Sequence, residues 1–175
     1  MPAPVPLPLL FLDVDGPLIP FGPPPPGGHP TYAPDPDPSG HPLLARVNPA
    51  LGAALAALPC ELVWATTWMD DANALVAPRL GLPALPVLDR QEEDAATREH
   101  EALHWKTRAL VAQAAGRPFV WIDDEIGRAD RDWVAAHHPG RALLRRTDPW
   151  RGIAAGDLDV VGEWLRGLRR VGEGL

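Results

Sequence analysis

The stretch LLFLDVDG, residues 9–16, is an unbroken apolar run that closes on an acid, a valine, a second acid and a glycine. A run without polar alternation has the pattern of a strand buried on both faces, which is the habit of parallel sheets. Two carboxylates then arrive together at its end. The same shape recurs in FVWIDD, residues 119–124, and a further apolar run, ELVWATT at 61–67, ends on two hydroxyls. In open sheets with helices between the strands, ligands gather outside the carboxyl ends of the strands, where successive connections diverge. How these apolar runs end therefore carries the functional information.

Helical patterns separate the runs. Asn48 caps a helix with Pro49 in its first turn, continuing through LGAALAAL to Pro59. The pattern predicts a helix over 70–77 closed by Pro78 and a short third strand in LPALPVL, residues 82–88. A charged segment, 89–101, leads into a helix through WKTRALVAQAA, stopped by Gly116 and Pro118. FVWID is then a fourth strand, 129–138 a helix and ALLRR a fifth strand. The last helix sets Leu158, Val161, Trp164, Leu165 and Leu168 on one face. Strands alternating with helices predict an α/β fold of three layers, Rossmann-like, with a central parallel sheet of about five strands and helices on both faces.

Composition narrows the function classes. The 175 residues suit a single domain, and of 23 prolines 15 fall in the first 42 positions. Eleven of these lie at 17–42, so no helix passes through that segment, and a proline-rich flap or loop over 17–44 is expected directly after the first strand. The net charge of −7, with arginine and acids interspersed, argues against a chain held on nucleic acid by bulk electrostatics and leaves nucleic acid possible only as a substrate. A lone cysteine, Cys60, excludes an internal disulfide and a thiolate metal site. The start, MPAPVPLPLLFLDVDG, has neither a basic leader nor a membrane-spanning length, so a cytoplasmic protein with no membrane partner is expected. Of the 16 cationic residues, Lys106 is the only lysine.

Asp13, Asp15, Asp123 and Asp124 would all stand at one sheet edge, where their charges repel unless a cation lies among them. Hard oxygen ligands suit Mg²⁺, which takes a few carboxylates together with water and substrate phosphate. The expected partner is accordingly a phosphorylated substrate, either a small molecule or a macromolecular end.

This set of motifs resembles the haloacid dehalogenase-like (HAD) superfamily. LFLDVDG matches its first motif, LVWAT at Thr66 its second, Lys106 its third and WIDD its fourth, in the family's order and over roughly residues 9 to 146. The resemblance implies a compact, capless (C0-type) member and a Mg²⁺-dependent phosphatase acting through an aspartyl-phosphate. On that reading Asp13 attacks phosphorus, and Asp15 first protonates the leaving oxygen and then activates water. Thr66 and Lys106 bind the phosphoryl group, with Thr67 as the neighbouring hydroxyl. The metal falls to Asp13, the Asp15 carbonyl and Asp123, with Asp124 as an alternative or supporting ligand. An acid at position 15 is what the family's phosphatases carry and its dehalogenases lack. One departure is Pro17, where the family usually has Thr or Val. Two other readings are a non-catalytic HAD scaffold that binds a partner through its proline-rich loop, and a 3′-end phosphatase for nucleic acid. Trp68 and Trp105 adjoin the second and third motifs and are candidates for flanking the pocket, while the histidines are expected on the wet surface.

Overall fold

Strand β1 (Leu9–Leu12) runs through the middle of the molecule with all four side chains buried. The computed structural model describes residues 6–32, 41–89 and 103–172. Around β1 stand β2 (Glu61–Trp64), β3 (Phe119–Asp123) and β4 (Ala142–Arg146), all parallel, in the spatial order β2-β1-β3-β4. The chain leaves β1 for β2 on one side and returns past it to β3 on the other. The connections therefore diverge between β1 and β3, and the acidic ends of the first and fourth apolar runs meet there.

Alternating side chains along each strand feed two separate cores, as a period of two requires. Leu10, Leu12, Val120 and Ile122 face a cluster that includes Leu55 of α1 (Ala50–Ala56) and Leu158, Val161 and Leu165 of α5 (Ala155–Gly172). Leu9, Phe11, Phe119 and Trp121 face the other, which holds Ala109 and Leu110 of α3 (Lys106–Ala114) and Val134 of α4 (Arg128–His137). Phe11 and Phe119 meet edge to face at 5.6 Å. Each large apolar side chain buried this way contributes roughly 1.5–3 kcal/mol, so the sheet is the most strongly held part of the chain. A three-layer α/β architecture follows, as the alternation of elements predicts.

Among the described residues the sheet has four strands rather than five. Residues 82–88 lie along the outer edge of β2 but pair only at Trp64 and Val87, with Trp64 N–H donating to the Pro86 carbonyl at 2.8 Å and Leu88 N–H to the Trp64 carbonyl at 2.7 Å. Pro83 and Pro86 carry no N–H, so the segment cannot extend that contact into a ladder. The expected stop at Pro78 also moves. A π-helical turn, Ala72–Val76, precedes α2 (Ala77–Leu80), and Pro78 sits in the first turn of α2, where its missing donor is tolerated. Gly81, at φ +65°, ends the helix.

The described parts of the proline-rich insert, 17–32 and 41–44, contain neither an α-helix nor an extended strand, and a short 3₁₀ turn, Leu44–Arg46, begins at its last residue. It is nonetheless anchored. Leu18 and Ile19 are buried, Phe21 N–H reaches the Pro149 carbonyl, and the Arg46 guanidinium reaches the Pro20 carbonyl, each at 2.8 Å. Most of the charged segment expected before α3 lies outside the described residues. Among the described residues no helix is long and apolar enough to cross a membrane.

Candidate active site

Asp13 stands one residue beyond β1, its N–H still bonded to the Ile122 carbonyl at 3.1 Å, and Asp123 is the last residue of β3. Lys106, the first residue of α3, reaches between them. Its Nζ lies 2.9 Å from Asp13 Oδ2 and 2.6 Å from Asp123 Oδ2. All three are buried, Asp123 completely and Lys106 at 2 % exposure. Further donors orient the carboxylates: Val14 N–H to Asp13 Oδ1 at 2.8 Å, Glu125 N–H to Asp123 Oδ1 at 2.9 Å and the Trp121 indole to Asp123 Oδ2 at 3.2 Å. Asp124 is buried beside them, and its carbonyl accepts from the Arg146 side chain at 2.9 Å. It does not cap α4, whose first turn is closed by Asp130 instead.

One ammonium cannot balance this cluster. Oxygens of Asp13, Asp123 and Asp124 lie within 4.8 Å of one another, so three carboxylates face one cation. Burial raises the Asp13 carboxyl to about 7, with Lys106 opposing the rise and Asp123 adding to it. Burial, followed by the Asp123 charge, raises Asp124 to about 6. Carboxylate oxygens crowded at this spacing and resisting ionisation form a donor set that suits a divalent cation with hard-ligand preference, and Mg²⁺ fits it. The arrangement has a pH signature. A carboxyl raised on folding holds its proton in the native state while the unfolded chain has released it, so stability falls as pH rises from about 4 to about 7. In EDTA the thermal midpoint is expected to decline across that window by the equivalent of a few kcal/mol, and added Mg²⁺ is expected to flatten the decline. Thermal melts at stepped pH with and without Mg²⁺ check this, and a flat profile in EDTA contradicts it.

Gly16 explains the glycine of the first motif. It adopts φ +89°, and a Cβ there would lie 2.5 Å from Asp124 Cγ and Oδ1. Only a residue without a side chain lets the turn after β1 close against the acid at the end of β3.

Thr66 is buried just beyond the end of β2, and Ala65 N–H bonds the Leu12 carbonyl at 2.8 Å, which keeps the ends of β1 and β2 side by side. Its Oγ1 accepts from Trp68 N–H at 3.2 Å, which leaves the hydroxyl proton available to donate outward. Thr67 is exposed. Asp15 is partly buried and accepts from the Trp68 indole at 3.0 Å. Trp105 stands beside the lysine, its ring 5.5 Å from Lys106 Nζ. All the acids, Thr66 and Lys106 are thus gathered at one end of the sheet.

Asp130 escaped the sequence reading. Its buried carboxylate accepts from His104 N–H at 2.8 Å, Thr107 Oγ1 at 2.6 Å and Gly127 N–H at 2.8 Å, tying the start of α3 to the start of α4 and so setting where Lys106 emerges. The only signal in the sequence is an acid three residues after Gly127, a position that returns a bond to a helix N-terminus. Asp130→Ala strands three donors and is expected to cost about 2–4 kcal/mol in urea denaturation, with Asp130→Asn recovering part of the loss. Equal stability of the wild type and Asp130→Ala would contradict this tie. Four of the described histidines also depart from the wet surface, His29 and His41 being half-buried in the proline-rich insert. His104 is half-buried, 3.2 Å from Glu125, and His138 is buried against Phe119.

Among known proteins, residues 9–158 match the family described as "HAD domain in Swiss Army Knife RNA repair proteins". No curated protein and no solved structure matches the chain.

Proposed function

The chain belongs to the family of HAD domains found in Swiss Army Knife RNA repair proteins, and from that membership we propose that it is a Mg²⁺-dependent phosphomonoester hydrolase acting on the phosphorylated end of RNA. The observation that carries the reading is the single ammonium of Lys106 held at 2.9 and 2.6 Å between two buried strand-end carboxylates, Asp13 and Asp123. A binding scaffold gains nothing from so costly a cluster.

In the first step the Asp13 carboxylate forms a bond to phosphorus as the ester P–O bond breaks, and Asp15 gives its proton to the departing hydroxyl oxygen. In the second, water attacks the phosphorus of the aspartyl-phosphate, Asp15 takes a proton from that water, and the Asp13–phosphorus bond breaks to release inorganic phosphate. Lys106 offsets the charge that gathers on the nucleophile and the phosphoryl oxygens, and the Thr66 hydroxyl donates to one of those oxygens. Mg²⁺, held by Asp13, Asp123 and the Asp15 carbonyl with Asp124 beside them, would supply further charge neutralisation.

Inorganic phosphate release should be compared for oligoribonucleotides phosphorylated at the 3′ or the 5′ end, for sugar phosphates and for a phosphopeptide, each with Mg²⁺ and with EDTA. The reading expects release from an RNA end with Mg²⁺ and none with EDTA. Turnover confined to sugar phosphates would replace RNA with a small metabolite. No turnover on any substrate would favour a scaffold that engages a partner through the proline-rich loop.

A further inference from the structure

The turn after β2 carries a residue that grips two functional groups at once. Trp68 donates its main-chain N–H to Thr66 Oγ1 at 3.2 Å and its indole N–H to Asp15 Oδ2 at 3.0 Å. The His41 ring packs against the indole at 4.9 Å between centroids, which supports it from the side of the proline-rich insert. Directly after it, Met69 adopts φ +49°, a conformation uncommon for a residue with a side chain. Such strain persists where surrounding bonds over-determine the backbone. Here Asp71 N–H bonds the Trp68 carbonyl at 3.0 Å and Ala72 N–H the Met69 carbonyl at 3.2 Å.

We propose that Trp68 is a positioning residue for the acid that serves the leaving group. Its indole fixes the Asp15 carboxyl through Oδ2, which leaves Oδ1 to carry the proton and present it to the departing oxygen. Its main chain fixes the Thr66 hydroxyl at the same time. The phosphate oxygen and the leaving oxygen are therefore registered to each other by one residue, through its main chain and its side chain. This assignment rests on the phosphatase reading and adds a residue to it.

The test compares two esters, because only one needs the acid. A p-nitrophenyl ester departs as a stable anion, whereas an alkyl ester must be protonated as it leaves. The parameter kcat/KM covers steps only through departure of the leaving group, so it isolates the protonation. With Mg²⁺ present, Trp68→Phe is expected to lower kcat/KM for p-nitrophenyl phosphate no more than about threefold and for an alkyl phosphate by about thirtyfold or more. Equal losses on the two esters would reduce Trp68 to a structural role and overturn the proposal, as would no loss on either. A second measurement reads the contact without turnover. In the nitrogen–proton NMR spectrum, the Trp68 indole resonance, identified by its absence in Trp68→Phe, should move upfield in Asp15→Ala. A resonance that stays in place overturns the proposal even if the enzyme is active. A wild-type chain inert toward both esters and toward phosphorylated RNA ends overturns the phosphatase reading instead, and the indole resonance still decides the contact.

Discussion

Asp13→Asn is expected to lower phosphate release by about four orders of magnitude or more while leaving the chain folded. Asparagine keeps the shape of the side chain and a single acceptor, which serves either Val14 N–H or the Lys106 ammonium, and it has no carboxylate to attack phosphorus. The fold should tolerate the change well. Asp13 is buried and its carboxyl is raised to about 7, so at neutral pH the native state carries a charge that burial opposes. Removing that charge is expected to leave the thermal midpoint in EDTA equal to or above that of the wild type. Steady-state phosphate release and thermal melts on the same preparation check both halves. Turnover within tenfold of the wild type would take the nucleophile's role away from Asp13.

The second large effect is at Lys106. With 2 % exposure and contacts of 2.9 and 2.6 Å to two carboxylates, it is the only described cation between them. Lys106→Met strands those charges in a buried site and is expected to cost about 3–5 kcal/mol in EDTA, with kcat lowered about 10²–10³-fold even when Mg²⁺ is present. Mg²⁺ should restore part of the stability, because a divalent cation takes over the charge balance. Lys106→Arg separates charge from shape. The guanidinium keeps the positive charge but is planar and larger than an ammonium, and the enclosed space between Asp13 and Asp123 suits a compact point charge. Its kcat is expected to fall nearly as far as that of Lys106→Met while more of the stability in EDTA is retained. Urea titrations and kcat for the two variants give the comparison. A Lys106→Met chain as stable in EDTA as the wild type would show that the ammonium is not what balances the cluster.

The strands at the centre were legible because burial on both faces leaves a direct trace, an apolar run without alternation, in LLFL and FVWI. Their ends were legible because paired acids directly after such a run place carboxylates at the carboxyl edge of a parallel sheet. The edge segment at 82–88 was misread for the opposite reason. Its apolar residues look like a strand, but a ladder depends on N–H donors, and Pro83 and Pro86 have none to offer. The turn around Pro78 misled for a different reason, since a proline reads as a stop but is tolerated in the first turn of a new helix, where its missing donor has no partner to lose.

By itself, then, the sequence determined the α/β class, the parallel sheet and which acids, hydroxyl and ammonium stand at its carboxyl edge, because each of these follows from local periodicity or from position along one strand. Only the tertiary structure decided how those groups are held. Trp68 grips Asp15 across 53 residues of chain, and Asp130 grips His104 and Thr107 across 26 and 23. Gly16 is required by a side chain, that of Asp124, at the end of another strand. Hydrogen bonds and close approaches of this kind form between elements that meet only after the sheet has assembled. They leave no periodic trace along the chain, which is why the placement of these groups at the sheet edge could be read in advance and their supports could not.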